Sequence, residues 1–180
     1  KGITEKGIDA DFVHLEKGFS RINVKIKADM ETEINASGPD IDSDSMDKLN
    51  EKLDLLVSGD ILILAGSIPP SLPDSLYSDI LKRLTPRGVK CAVDATGKLL
   101  TNVLDYNPFL IKPNNHELGD IFDVTLSTRD EVVQYAQKLA DRGAENVLVS
   151  MGGEGAVLVT RDGKVLKSPA PKGKVINSVG

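Results

Sequence analysis

Cysteine, histidine and an excess of basic residues are what this sequence has least of. Its single cysteine, Cys91, cannot close an intramolecular disulfide, and its place in an apolar run between Lys90 and Ala92 reads as a small core residue in a reducing compartment. With only His14 and His116 there is no histidine metal cluster, and Cys91 has no obvious base partner for nucleophilic work. Twenty-two Lys and Arg stand against 27 Asp and Glu, a net charge of −5, and the cations are scattered. The diffuse positive field that nucleic acid or anionic lipid requires is therefore missing, and neither is an expected partner. The longest apolar run, residues 61–65, falls far short of the roughly 20 residues of a bilayer span, and no secretory pattern opens the sequence. The expectation is a soluble, cytoplasmic protein. No G-x-G-x-x-G follows an early strand and no G-x-x-x-x-G-K-[ST] occurs, which removes the dinucleotide and P-loop fingerprints and disfavours an oxidoreductase on a doubly wound sheet. Internal repeats and low-complexity tracts are absent as well.

What is present is a 180-residue chain, 40% hydrophobic, enough for one packed domain with a small appendage. From Asp60 onward, short apolar runs at 61–65, 89–94, 109–112 and 147–150 alternate with amphipathic stretches, the pattern of βα units on a largely parallel sheet. Leu76, Ile80, Leu81 and Leu84 mark one face of a helix within 73–87 that stops at Gly88. Thr128 and Glu131 form a capping box ahead of Val132, Val133, Ala136, Leu139 and Ala140, with Gly143 as the stop. Met46, Leu49, Leu53, Leu56 and Val57 give an earlier helix. The first forty residues differ. Strict alternation over 19–27 and again over 31–36, across a polar turn at Asp29, predicts an antiparallel hairpin with one apolar and one charged face. A second hairpin, 155–160 with 164–168, turns at Asp162-Gly163. The chain thus reads as a single α/β domain, 1–180, with a protruding hairpin over 19–37.

Chemistry is sought at strand ends, where open parallel sheets hold ligands. On the early hairpin, Arg21, Asn23 and Lys25 point the same way, a fork and a point charge suited to a phosphate monoester, or else a solvated edge that discourages strand pairing. Gly66 lets backbone come close and Ser67 offers a hydroxyl after the first core strand. Lys112-Pro113-Asn114 follows another, where Asn114 and Glu117 share a helical face; they could orient water around magnesium, or act as N-cap and capping partner. His116 points elsewhere, toward the surface. Asp94 either faces the cleft or caps the next helix. Ser150, Gly152 and Gly155 belong to a glycine-rich turn that allows close contact with a planar or phosphate-bearing ligand.

These segments together resemble the ribokinase-like, or phosphofructokinase B, family of carbohydrate kinases, and within it the branch that phosphorylates fructose 1-phosphate. The resemblance runs along essentially the whole chain, on Arg21-Ile22-Asn23-Val24-Lys25, residues 32–39, Gly66-Ser67-Ile68-Pro69, Lys112-Pro113-Asn114-x-x-Glu117-Leu118 and Ser150-x-Gly152-x-x-Gly155-Ala156. It implies a Rossmann-type three-layer core with a mostly parallel sheet, and part of a small β lid that closes over the sugar and often dimerises, so a homodimer is expected. It also implies ATP and Mg²⁺ as cofactors. Arg21, Asn23, Lys25 and Ser67 would serve the sugar phosphate; Lys112, Asn114 and Glu117 would serve the ATP phosphates and, through water, magnesium; Ser150, Gly152 and Gly155 would line the nucleotide site. The expected reaction turns fructose 1-phosphate into fructose 1,6-bisphosphate, with tagatose 6-phosphate phosphorylation, or a non-catalytic sugar-phosphate or nucleotide binding module, as alternatives. Two departures stand out. The family's Gly-Ala-Gly-Asp or Gly-Ser-Gly-Asp turn, which supplies anion hole and catalytic base, would begin at Gly180 and go no further, and the family's Gly-Gly-Lys-Gly segment and first core strands do not occur. With Lys1 in place of Met, the expectation is an internal fragment, inactive by itself, with exposed edges that favour self-association.

Overall fold

The computed structural model of the chain describes residues 3–27 and 31–173. The chain divides into two compact units, Lys1–Leu56 with Ile68–Pro73, and Val57–Ser67 with Asp74–Gly180.

In the first unit, β1 (Asn23–Lys27) and β2 (Glu31–Asn35) pair antiparallel, with Asn23 opposite Asn35, Val24 opposite Ile34 and Lys25 opposite Glu33. Alternation sends Val24, Ile26 and Ile34 to one face and Asn23, Lys25, Glu33 and Asn35 to the other. The apolar face is uncovered, Val24 being 44% and Ile34 56% exposed. The strand starts later than the alternation from residue 19 suggests. Ile22 makes the last backbone bond, accepting from Ala36, and Phe19, beyond the end of the second strand, stands 87% exposed. The polar turn around Asp29 lies outside the described residues. The helix α1 (Ser43–Asp54) starts at Asp42, whose carboxylate accepts the Ser45 amide at 2.8 Å. It ends before Leu56 and Val57, so these two fall off its stripe, and of that stripe Leu53 is the buried member.

The second unit carries a six-stranded sheet in sequence order: β3 (Ile61–Ala65), β4 (Lys90–Asp94), β5 (Leu110–Ile111), β6 (Asn146–Ser150), β7 (Ala156–Thr160) and β8 (Val165–Ser168). The first four run parallel, β7 returns antiparallel to β6, and β8 reverses again beside β7 across the Asp-Gly hairpin. The crossovers contain α2 (Leu76–Leu84), α3 (Gly97–Thr101), α4 (Asn115–Phe122) and α5 (Arg129–Asp141). With the strands in sequence order, right-handed crossovers bring these helices to the same face of the sheet. The burial agrees. Cys91, Val93, Ile111, Val147, Val149, Val157 and Val159 form a fully buried layer, facing Leu81, Leu84, Leu100, Leu118, Val132, Ala136 and Leu139. On the opposite face Ile61 and Ile63 are 58% and 69% exposed. Cys91 is a free, buried thiol, pushed up to about 11 by burial, the core role its sequence position suggests. Among the described residues, no helix is long and apolar enough to cross a membrane.

Candidate functional site

The polar face of the β1–β2 hairpin holds Arg21, Asn23 and Lys25 as alternation requires, and two residues that alternation along one strand did not bring into the group. The Arg21 Nε donates to Asn23 Oδ1 at 2.9 Å, while Lys25 Nζ lies 2.5 Å from Glu33 Oε1 on the facing strand. Asn35 donates to the same carboxylate at 3.4 Å. The hydrogen bond from Lys25, then that from Asn35, then the charge of Lys25 hold the Glu33 carboxyl below its usual range. The signal for Glu33 and Asn35 lay in the period-two pattern of residues 31–36 once the register was known. Both partners of the Lys25–Glu33 pair are about two-fifths exposed, so the pair is screened by solvent and contributes little to stability.

In the second unit the candidate residues gather at the carboxyl ends of β3, β4, β5 and β6. Gly66, at φ 91°, takes the conformation a side chain resists and donates its amide to the Asp94 carbonyl at 3.0 Å. Beneath it, the buried Tyr77 of α2 donates its hydroxyl toward the carbonyls of Ala65 and Gly66, both at 3.2 Å. Ser67 and Gly66 line an open cavity of about 260 Å³ together with Asp94, Ala95, Thr96 and Leu99. Tyr77 did not stand out in the sequence, although it sits three and four residues before Ile80 and Leu81 on the same helical face. Burial, and next the charge of Asp94, raise its phenol above the usual range.

Asp94 is not a helix cap. Position 96, two residues later, has the extended backbone of the N-cap of α3, and the Asp94 carboxylate instead meets Lys112 Nζ at 3.1 Å. Lys112 reaches it because its amide donates to Val93, which lays the end of β5 beside the end of β4. Asn114 is the N-cap of α4: its Oδ1 accepts the amides of His116 and Glu117, each at 2.9 Å, and Glu117 Oε2 accepts the Asn114 amide at 2.8 Å. The capping reading of the two residues is thus realised, with the spare carboxylate oxygen and side-chain amide available for a second role. His116 is exposed. No three His, Cys, Asp or Glu side chains among the described residues converge on a metal position, so a magnesium ion here would lean on a ligand's own phosphates and on water.

The glycine-rich turn follows at the end of β6. Ser150 takes the Pro113 carbonyl at 3.1 Å and bridges Asn114, which brings the Lys112-Pro113-Asn114 loop against the start of this turn. Within it the Met151 amide reaches the Gly155 carbonyl at 2.8 Å, and Gly152–Glu154 is one tight 3₁₀ turn. Gly155, at φ 92°, has no room for a side chain: a Cβ would lie 2.0 Å from the Ser168 carbonyl oxygen. Gly152 and Gly153 face open space. A further residue outside the sequence-level candidates, Arg129, holds the Glu154 carbonyl. Gly180 and the residues before it from 174 lie outside the described residues.

A family model for pfkB family carbohydrate kinases matches residues 1–180. A 1-phosphofructokinase of Bacillus subtilis is 42% identical over 178 residues, 99% of this chain and 58% of that protein. A D-tagatose-1-phosphate kinase of Bacillus licheniformis is 36% identical over 172 residues, 95% of this chain and 56% of that protein. Among solved structures, a Staphylococcus aureus protein provisionally assigned as a phosphofructokinase superposes with a TM-score of 0.82 at 39% identity, across 99% of this chain and 57% of that one. The chain therefore spans somewhat more than half the length of the relatives it matches. A parallel sheet that collects a lysine, an asparagine cap and a glycine-rich turn at its carboxyl end, matched along its whole length in this way, places the chain in the pfkB family of carbohydrate kinases.

Proposed function

We propose that the protein is an ATP-dependent sugar-phosphate kinase that phosphorylates the C6 hydroxyl of fructose 1-phosphate, giving fructose 1,6-bisphosphate and ADP. The observation that carries this reading is the 42% identity to a 1-phosphofructokinase over 99% of the chain. ATP supplies the phosphoryl group, with magnesium neutralising its β and γ phosphates. Lys112 gives a point charge for those phosphates and exchanges a half-exposed Asp94 for them at little cost. Asn114 and Glu117, which cap α4, would hold magnesium beside those phosphates through water. Ser150, Gly152 and Gly155 line the nucleotide, and the open space at Gly152 and Gly153 suits its close approach. Arg21, Asn23 and Lys25 bind the sugar phosphate by charge, and Ser67 binds the sugar.

No Gly-x-Gly-Asp turn occurs within these 180 residues. Base and anion hole together supply much of the rate in such transfers, so the 180-residue chain by itself binds and does not turn over. The 36% identity to a D-tagatose-1-phosphate kinase favours tagatose 1-phosphate as a second acceptor, ahead of tagatose 6-phosphate. A coupled ADP-release assay on the 180-residue chain and on its whole gene product, with fructose 1-phosphate, tagatose 1-phosphate and tagatose 6-phosphate, tests the reading. Turnover of fructose 1-phosphate by the whole product alone is the expected result. A preference for a tagatose phosphate reassigns the substrate, turnover by the 180-residue chain means the base lies within it, and silence on every sugar phosphate leaves a binding module.

A further inference from the structure

The first residue of α5 has the wrong charge for its place. A cation in the first turn of a helix opposes the macrodipole, at a cost of about 0.3–1 kcal/mol, and the acidic neighbours Asp130 and Glu131 are what that position ordinarily selects. Arg129 is there for another partner. Its Nε and Nη2 both donate to the Glu154 carbonyl oxygen, at 3.0 and 2.5 Å, from 25 residues away. The carboxylate of Glu154 is 3.9 Å from the same guanidinium, too far for a close pair.

That carbonyl matters because of the segment it belongs to. Residues 152–154 are exposed and two of them are glycines, so the turn has almost no side-chain packing of its own. Backbone bonds from Met151 to Gly155 and from Glu154 to Met151 close it, and its C-terminal end is fixed from outside at two adjacent residues, Gly155 against the Ser168 carbonyl and Glu154 under the guanidinium fork. The fork is planar and preorganised, so two bonds to one oxygen fix the orientation of the peptide as well as its position. The helix that presents it is fastened by Glu131, which accepts the amides of Ser127 and Thr128, while the pair of Lys167 with Asp130, whose side chain is 86% exposed, adds little to its placement.

We propose that Arg129 is a positioning residue for the nucleotide: without touching it, the guanidinium holds the Gly152–Glu154 backbone in the shape that receives it. This rests on the assignment of the glycine-rich turn to ATP. The test compares Arg129→Ala, Arg129→Lys and, on the same helical turn but off the loop, Asp130→Asn. In each, made in the whole gene product, mant-ATP affinity with magnesium is measured by fluorescence, amide exchange of residues 151–155 by mass spectrometry, and unfolding midpoint and sugar-phosphate KM alongside. Loss of the charge-assisted bonds in Arg129→Ala is expected to weaken mant-ATP binding by about tenfold and to quicken exchange in the turn. Arg129→Lys falls between, and sugar-phosphate KM and the Asp130→Asn affinity stay at wild-type values. Unchanged mant-ATP affinity in Arg129→Ala overturns the inference alone. So does an equal loss in Asp130→Asn, or a loss of nucleotide and sugar affinity together with the unfolding midpoint, each of which means a general structural role. No mant-ATP binding by the wild type overturns the assignment of the turn and the inference with it.

Discussion

At the scale of single residues, the side chains singled out in the two units are of two kinds, and only one kind announces itself in sequence. Lys112, Asn114 and Ser67 follow apolar strands directly, so their position at the sheet's carboxyl end could be read from the pattern of strands alone. Tyr77, Glu33 and Arg129 act through partners 11 or more, eight and 25 residues distant. Such pairings depend on register and packing, which no local window contains. Tyr77 gives the clearest consequence. Its hydroxyl donates toward two carbonyls at the end of β3, and burial, with the charge of Asp94 next, raises its phenol above the usual range. Tyr77→Phe keeps the ring and removes the donor, so it should destabilise the protein by about 1–2 kcal/mol in urea unfolding, the typical cost of leaving a part-buried acceptor unpaired. A variant as stable as wild type would mean that water replaces the phenol there and that the Gly66-Ser67 turn is held by the Gly66–Asp94 bond alone.

At the scale of elements, strong periodicity was legible nearly to the residue. The strand at 61–65 and the helix after Thr128 form where the pattern placed them, with the capping box of Thr128 and Glu131 in place. Where boundaries moved, a partner was the cause: β1 loses its first residues because β2 is too short to pair them, and β5 shrinks to Leu110–Ile111 because its neighbours bond it only there. The capping box of α5 also carries a pH dependence. The Thr128 and Ser127 amides, with the Thr128 hydroxyl, hold the Glu131 carboxyl below its ordinary value in the folded chain. A carboxyl whose folded pKa is depressed binds fewer protons folded than unfolded. Its stabilisation is therefore complete above the unfolded value of about 4.3 and is lost as pH falls through the lower folded value. Asp130, lowered by its Lys167 partner, acts in the same sense. The unfolding midpoint should thus fall between about pH 5 and pH 2, and Glu131→Gln, less stable at neutral pH, should converge with wild type at the acid end. Two curves that stay parallel across that range would remove Glu131 from the account.

At the scale of the whole molecule, the decisive observation is apolar surface that each unit leaves uncovered. A two-stranded hairpin in water is marginal by itself, and this one shows Ile22, Val24, Ile26 and Ile34 at between 44% and 65% exposure along one face. In the second unit the helices cover one face of the sheet, while Ile61, Ile63 and Leu166 stand more than half exposed on the other. Two patches of this kind predict association, and they differ in what would relieve it. Val24 and Ile34 are cross-strand neighbours, so Val24→Thr with Ile34→Thr keeps two β-branched residues in register while it makes the hairpin face polar. Sedimentation velocity across a wide concentration range should find the 180-residue chain associating, and the double variant shifted toward monomer if copies meet through the hairpin. Association that persists in the double variant would assign it to the open sheet face, where Ile63→Thr becomes the next substitution. A sharp monomer at every concentration of the wild type would show that neither patch is enough, since isolated exposed side chains are common on stable monomers and it is contiguous apolar area that drives contact.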